Sequence, residues 1–376
     1  MKIAIVCYPT FGGSGVIATE MGLSLASKGV EVHFITYKHP VRLDVLSSKV
    51  YFHEVHVPEY PLFHFQPYEL ALSSKLVDTV QKFKIDLLHV HYAIPHAYAA
   101  YMAKKMLAEK GIKIPLVTTL HGTDITLVGS HPFYKSAVTF SINNSDYVTS
   151  VSKSLKEQTI NFFNINKEIS VIPNFVDFSR HQDHSESCDR SSIAPDNFKI
   201  LTHVSNFRPV KRVLDVVKVF EKVFQKIPSK LIMVGDGPDK IIAENYCLNK
   251  EIQNHVIFLG NTSDVYEVLC YSDLFLLTSE TESFGLAALE AMMMSVPVIS
   301  TNTGGLPEVN IENESGFLFK VGDIEGMSRK SIDLLASSKL LNQMKASARN
   351  TALKFNIDNV IDSYLEIYKK AINRIN

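Results

Sequence analysis

The sequence has no tryptophan and only four cysteines among its 376 residues. Cys7, Cys188, Cys247 and Cys270 lie far apart and form no CxxC pair. That excludes a zinc knuckle and predicts free thiols in a reducing compartment, not a disulfide framework. Net charge is nearly absent: 38 Lys+Arg against 39 Asp+Glu give a formal charge of -1. A dedicated DNA or RNA binder needs a basic excess that is missing here. No uninterrupted apolar run is long enough to span a bilayer. The opening MKIAIVCYPTFGG has no full signal-peptide core and reads straight into a strand. A soluble, cytoplasmic protein is expected. Catalytic signatures are missing too. There is no GxSxG elbow, and the first glycine loop is neither GxGxxG nor followed by a P-loop lysine. No Asp-x-Asp pair occurs to hold Mg²⁺ on a diphosphate.

What is present is an ordinary globular composition, 46% hydrophobic and 20% charged, over a length that favours two domains. Short apolar runs alternate with longer helical stretches. KIAIVCY is an almost continuous β-type run, as a buried parallel strand should be. VEVHFIT, KVYFHEVHV, IDLLHVH, IPLVTTLH, DYVTSVS and ISVIPN follow it, with helices between most of them. This is the βαβ rhythm of an α/β protein. The rhythm breaks near residue 175. DFSRHQDHSESCDRSSIAPDN is polar and without periodicity, and reads as linker and surface loop over 175–197. A second series then runs through FKILTHVS, KLIMVG, HVIFLG, DLFLLTS and VPVIST. Two Rossmann-like domains are expected, 1–174 and 198–356, followed by an amphipathic stretch to residue 375. Ligands of such sheets bind beyond the carboxyl ends of the strands, so the loops there carry the search for chemistry.

Four loops stand out. Gly12-Gly13-Ser14-Gly15 lies between the first strand and a helix, where glycine permits close backbone approach and a helix N-terminus favours an anion. A plain tight βα turn reads the same way. Ser205-Asn206-Phe207-Arg208-Pro209-Val210-Lys211-Arg212 sets three cations at the start of a helix expected from Lys211, where the macrodipole disfavours them and an anion would offset the cost. Glu282-Ser283-Phe284-Gly285-Leu286-Ala287-Ala288-Leu289-Glu290 follows DLFLLTS, with a helix expected from near Phe284. Glu290, among apolar neighbours, needs partners for a buried carboxylate, and the paired hydroxyls of a ribose would serve. Asn302-Thr303-Gly304-Gly305-Leu306-Pro307-Glu308 is a turn whose proline suits a first helical position. Ten of the 14 histidines fall in the first 131 residues. His89 and His91 share one face of a strand, and His121-Gly122-Thr123-Asp124 ends another. Their spacing matches no standard metal site.

Together, the GGSG loop, SNFRPVKR, VGDGP, the SFGLAALE block and GGLPE resemble the family-4 retaining glycosyltransferases of GT-B fold, over essentially the whole chain. CYPTFGGSGVIATE, LLHVHYAIPHAYAAY, TTLHGTDITLVGS and VSNFRPVKRV look closest to the members that transfer N-acetylglucosamine to L-malate in bacillithiol synthesis. The resemblance implies two Rossmann-like domains facing a cleft. The acceptor domain would be 1–174 and the UDP-N-acetylglucosamine donor domain 198–356, with the last helix, 357–376, crossing back to the first. It implies Glu290 on the ribose hydroxyls, and Glu282 with the backbone of Ser283, Phe284 and Gly285 on the sugar. Lys211 would neutralise the diphosphate, with Gly13, Ser14 and Gly15 approaching it and His121 by the sugar. Many relatives open the basic loop with Gly-Arg; here Ser205-Asn206 stand there, and Arg208 takes either the phosphates or the acceptor. Catalytic roles are expected for Lys211, Glu282 and His121, and acceptor contacts for Ser14, Tyr92, Thr119, His121 and Arg208. No cofactor, essential metal, nucleic acid or stable membrane partner is expected, and the oligomeric state stays open. PEYPLFHFQPY, with Tyr60, Phe63, Phe65 and Tyr68, reads as a loop covering the acceptor side.

Overall fold

The computed structural model describes the chain except residues 11, 45–46, 60–63, 180–187, 189, 263 and 375–376. Tyr60 and Phe63 of the aromatic segment, and part of the polar stretch 175–197, therefore lie outside the described residues.

The first unit comprises Met1–Asn174 together with Ile357–Asn376, and the second Phe175–Asn356. In the first, β1 (Lys2–Val6), β2 (Glu31–Thr36), β3 (Val50–Glu54), β4 (Leu87–His91), β5 (Leu116–Leu120), β6 (Tyr147–Ser150) and β7 (Ile169–Val171) form one sheet. Its strand order is β3-β2-β1-β4-β5-β6-β7, with every pair parallel. In the second, β8 (Lys199–Val204), β9 (Ser229–Val234), β10 (Val256–Gly260), β11 (Leu274–Leu277), β12 (Val298–Thr301) and β13 (Gly316–Phe319) form a parallel sheet in the order β10-β9-β8-β11-β12-β13. Both are doubly wound α/β sheets. The continuous apolar runs read from the sequence are their central strands: Ile3, Ala4, Ile5 and Val6 are fully buried, as are Leu274, Phe275 and Leu276. Strands covered by helices on both faces need such runs.

The helix Ile357–Asn373 belongs to the first unit. It buries Ile361, Tyr364 and Tyr368 on one face, and the Tyr368 hydroxyl lies 2.6 Å from His89 Nδ1. Chain order alone would attach this helix to the second sheet.

Several expectations are corrected. The helix expected from Lys211 begins at Val213; Pro209–Lys211 is a separate 3₁₀ turn, and Arg212 between them takes φ 50°. The helix expected from near Phe284 begins at Leu286, behind Gly285 in the left-handed region. The edge strand β13 was not read at all, because four residues, GFLF, are too short a run to separate from a loop. The stretch 175–197 is not all linker. Phe175, Val176 and Phe178 are buried, with the Arg349 guanidinium 5.2 Å from the Phe178 ring centre. The expectation of four free thiols also fails: Cys188 and Cys270 form a disulfide across 82 residues of sequence, with Cα atoms 6.1 Å apart. Only the folded chain brings them within bonding range. Cys7 and Cys247 are free and buried, and burial pushes their thiols up to about 12 and about 11.

Candidate active site

In an open doubly wound sheet, ligands bind beyond the strand carboxyl ends where the strand order reverses. That point lies between β1 and β4 in the first sheet and between β8 and β11 in the second. The loops selected from sequence leave the sheets at these points. The glycine loop follows β1, Tyr92 follows β4, the basic loop follows β8, and Glu282 follows β11.

In the second unit, the basic and acidic loops meet. Lys211 Nζ lies 2.5 Å from Glu282 Oε1, which also accepts from Ser279 Oγ at 2.8 Å. Both side chains are mostly buried, 19% and 13% exposed, so the pair is shielded yet reachable. Thr278 Oγ1 binds the carbonyls of Lys211 and Arg212, and the Glu280 N–H donates to Val210 O. These bonds fix the two loops to each other. Arg212 is turned away to Asp215, 2.7 Å from its Oδ2. Arg208 is exposed, with no side-chain partner among the described residues. The Gly-Gly turn supports Glu282 from beneath: the Gly305 N–H donates to Glu282 O, and a Cβ on Gly304 would lie 1.9 Å from that same oxygen. Only glycine fits there, at φ 56°.

Glu290, on the helix Leu286–Met293, is 7% exposed. Its Oε1 accepts from the Tyr266 hydroxyl at 3.3 Å. Phe284 is buried against Phe355, and Ser283 is half-buried.

In the first unit, Ser14, Tyr92 and His121 come together. The Tyr92 hydroxyl donates to Ser14 Oγ at 2.6 Å, and the Tyr92 and His121 rings lie 5.2 Å apart. Gly13 is exposed at the first turn of the helix Gly13–Ser27. Gly15 has an internal reason: a Cβ there would lie 2.5 Å from Tyr8 O and 2.6 Å from Thr10 O. It lets the helix press against the loop before it. Thr119 has an internal reason as well. It is fully buried, and its hydroxyl bonds His89 Nε2 at 2.8 Å and Thr149 Oγ1 at 2.7 Å, so its side chain serves the interior. Phe65 is exposed, while Tyr68 opens the helix Tyr68–Phe83 and packs on Tyr37.

Buried polar groups surround His121. His91 Nδ1 lies 2.7 Å from His121 Nε2, and the rings stack at 5.0 Å. Burial holds His121 neutral, its pKa down at about 3, and lowers His91 well below the ordinary histidine value. Asp124 ties the two loops after β4 and β5 together. Its carboxylate accepts from the N–H groups of Ala93 at 2.8 Å, Gly122 at 3.0 Å and His121 at 3.3 Å. Burial raises it to about 6 against those bonds. Sequence reasoning flagged the His-Gly-Thr-Asp run but gave Asp124 no role, and it missed Tyr266 altogether. A lone Tyr before an apolar strand carries no sequence signal. Among the described residues, no group of three His, Cys, Asp or Glu side chains could hold a metal ion, and no helix is long and apolar enough to cross a membrane.

Residues 11–180 match the sequence profile of Glycosyltransferase Family 4, and residues 185–351 that of Glycosyl transferases group 1. The N-acetyl-alpha-D-glucosaminyl L-malate synthase of Bacillus anthracis is 45% identical over 98% of this chain and 96% of that protein. Solved structures share the fold at lower identity. A glycosyltransferase from Rickettsia africae has a TM-score of 0.77 at 22% identity, over 99% of this chain and 98% of its own. Anabaena HepE in complex with UDP-glucose has 0.81 at 20% identity, over 98% of this chain and 100% of its own. With two doubly wound parallel sheets, both profile matches and a full-length relative at 45% identity, the chain belongs to the family-4 glycosyltransferases and has the GT-B fold.

Proposed function

We propose that this protein transfers N-acetylglucosamine from UDP-N-acetylglucosamine to the hydroxyl of L-malate with retention at the anomeric carbon, the first step of bacillithiol synthesis. The observation that carries this reading is the near full-length likeness to the Bacillus anthracis synthase. The second unit takes the donor. Glu290, already buried and partnered by Tyr266, binds the ribose hydroxyls. Lys211 meets the diphosphate, and Glu282 with the backbone of Ser283, Phe284 and Gly285 meets the sugar. In the structure Lys211 and Glu282 neutralise each other, so an arriving diphosphate gives Lys211 a second anion without exposing Glu282 unpaired. The first unit takes the acceptor, through Ser14, Tyr92 and His121, with Gly13 at its helix start. Arg208, from the second unit, binds a malate carboxylate.

In the reaction, the bond from the anomeric carbon to the β-phosphate oxygen breaks and its electron pair stays on the phosphate. The malate hydroxyl oxygen bonds to the same face of that carbon and gives its proton to the leaving phosphate oxygen. Lys211 stabilises the charge where it develops. Lys211 and the helix N-termini supply the positive charge that a divalent metal would otherwise bring, so no metal is required. UDP release from UDP-N-acetylglucosamine, measured with and without L-malate, tests the assignment, and NMR of the product reads the anomer. Release that malate does not accelerate sinks the acceptor, and a β-linked product sinks retention.

A further inference from the structure

We propose that His91 is a positioning residue that fixes His121 as its Nδ1–H tautomer, so that His121 presents a hydrogen-bond donor, and not a basic lone pair, to an oxygen of the acceptor. The part about the acceptor rests on the placement of His121 proposed above; the tautomer does not.

The two imidazoles face each other through His91 Nδ1 and His121 Nε2, 2.7 Å apart. Both rings are held neutral by burial, so each carries one proton. One nitrogen of the facing pair must donate and the other accept. Two arrangements satisfy the contact. In one, His91 carries its proton on Nδ1 and donates to His121 Nε2, which places the His121 proton on Nδ1. In the other, His121 donates from Nε2, His91 accepts at Nδ1, and the His91 proton sits on Nε2.

The far nitrogen of His91 decides between them. His91 is fully buried, and its Nε2 has no hydrogen-bond partner among the described residues. The second arrangement would leave a buried N–H without an acceptor. The first leaves only a bare lone pair, and orphaned acceptors are tolerated more often than orphaned donors. The same pocket already contains one such lone pair. His96 Nδ1 lies 2.6 Å from the carbonyl of His91, which can only accept, so the His96 proton is on Nδ1. His96 Nε2 is then bare, fully buried and unpartnered. A site that holds His96 in this form is built to hold His91 the same way.

The scaffold keeps the pair in register. His91 ends β4 opposite Thr119 of β5, and the Tyr92 N–H donates to Thr119 O. Asp124 clamps the backbone of Ala93, His121 and Gly122 around the two rings. His89, beneath, bonds Tyr368 and Thr119 and takes no part in the pair.

The direct test reads the proton. Long-range ¹H–¹⁵N correlation spectra of the ¹⁵N-histidine protein, without substrate, give the tautomer of His121, whose signals are those lost in His121→Asn. An Nδ1-protonated His121 is expected. An Nε2-protonated His121 overturns the proposal, whatever the enzyme's substrates prove to be. The second test is turnover. In His91→Asn the side-chain amide nitrogen stands where Nδ1 stood and still donates, so kcat stays within a few fold of wild type. His91→Leu removes the donor, and kcat falls about tenfold or more, with the donor KM changing less. Equal losses in the two folded variants would also overturn it. A wild-type Nδ1–H tautomer in a protein inactive on the proposed substrates would fault the functional reading and leave the tautomer standing.

Discussion

The two units are built on the same doubly wound sheet but bury their polar groups differently. The first stacks neutral histidines and hydroxyls beneath its strand ends: His33, His89, His91 and His96 are all fully buried. Among its described residues the second has a single fully buried histidine, His203, with both ring nitrogens bonded, to Leu276 O and Ser205 Oγ. It places an ion pair, Lys211 with Glu282, in the loops after its strands and Glu290 on the helix that follows, where the first unit has the single backbone-capped carboxylate of Asp124 around its histidines. A shared fold therefore positions loops without prescribing their electrostatics. A site built from neutral donors suits an acceptor that brings its own charge, and a site built from fixed charge suits a leaving diphosphate.

The largest expected difference between the units is in acid. Burial holds His89 and His121 at about 3 and His53, His96 and His203 at about 4, and lowers His33 and His91. A lowered histidine stabilises the fold above its unfolded value of about 6.5, and that stability is lost as pH falls toward the folded value. Each such group removes at most about 1.4 kcal/mol per pH unit. Asp124, raised to about 6, works the other way below that pH and offsets about one histidine in the first unit. Several lowered histidines in the first unit against His203 in the second predict that between about pH 6 and 4.5 the first unit loses stability with falling pH more steeply than the second. Hydrogen exchange of peptides from β4 and β5 against β8 and β11, corrected for intrinsic rates, reads this. Parallel losses would erase the contrast.

Charge removal should break the second unit's function. Lys211→Ala is expected to lower kcat on the order of a hundredfold with little change in thermal stability. Turnover at the wild-type level would move leaving-group stabilisation elsewhere. Glu290→Ala should weaken UDP-sugar binding by about 1.5–3 kcal/mol, the worth of a charged hydrogen-bond pair, and calorimetry giving an unchanged Kd would remove it from the ribose. Arg208→Lys keeps charge but loses the planar fork that suits a carboxylate. It should raise the malate KM several fold and leave the donor KM nearly constant; a rise confined to the donor would assign Arg208 to the phosphates. The smallest effect is expected from excess EDTA, which should leave activity intact. Loss restored by Mg²⁺ or Mn²⁺ would show that Lys211 does not suffice.

Much of this was legible before folding. The apolar strands, the break near residue 175 and the family motifs are local patterns, and local patterns survive in a linear reading. The GT-B fold follows from them. What escaped was long-range or depended on geometry. Cys188 and Cys270 are 82 residues apart, and Tyr266 reaches Glu290 from a separate short helix. The cap on Asp124 is made by backbone groups, which leave no trace in side-chain identity. Gly15 and Thr119 show a further gap: packing against Tyr8 and Thr10, and a buried bond to His89, are internal roles that a motif reading does not carry.

The helix Ile357–Asn373 closes the first unit but comes after the whole of the second in the chain. During synthesis, then, the seven-stranded sheet waits with His89 lacking its tyrosine partner while the second unit emerges and folds. The second unit is contiguous and can mature as it emerges, whereas the first completes itself only once a segment made after the second has appeared. A nascent chain that fails to dock Tyr364 and Tyr368 leaves a polar interior uncovered, so errors in the first unit and errors in the second are exposed to chaperones at different times.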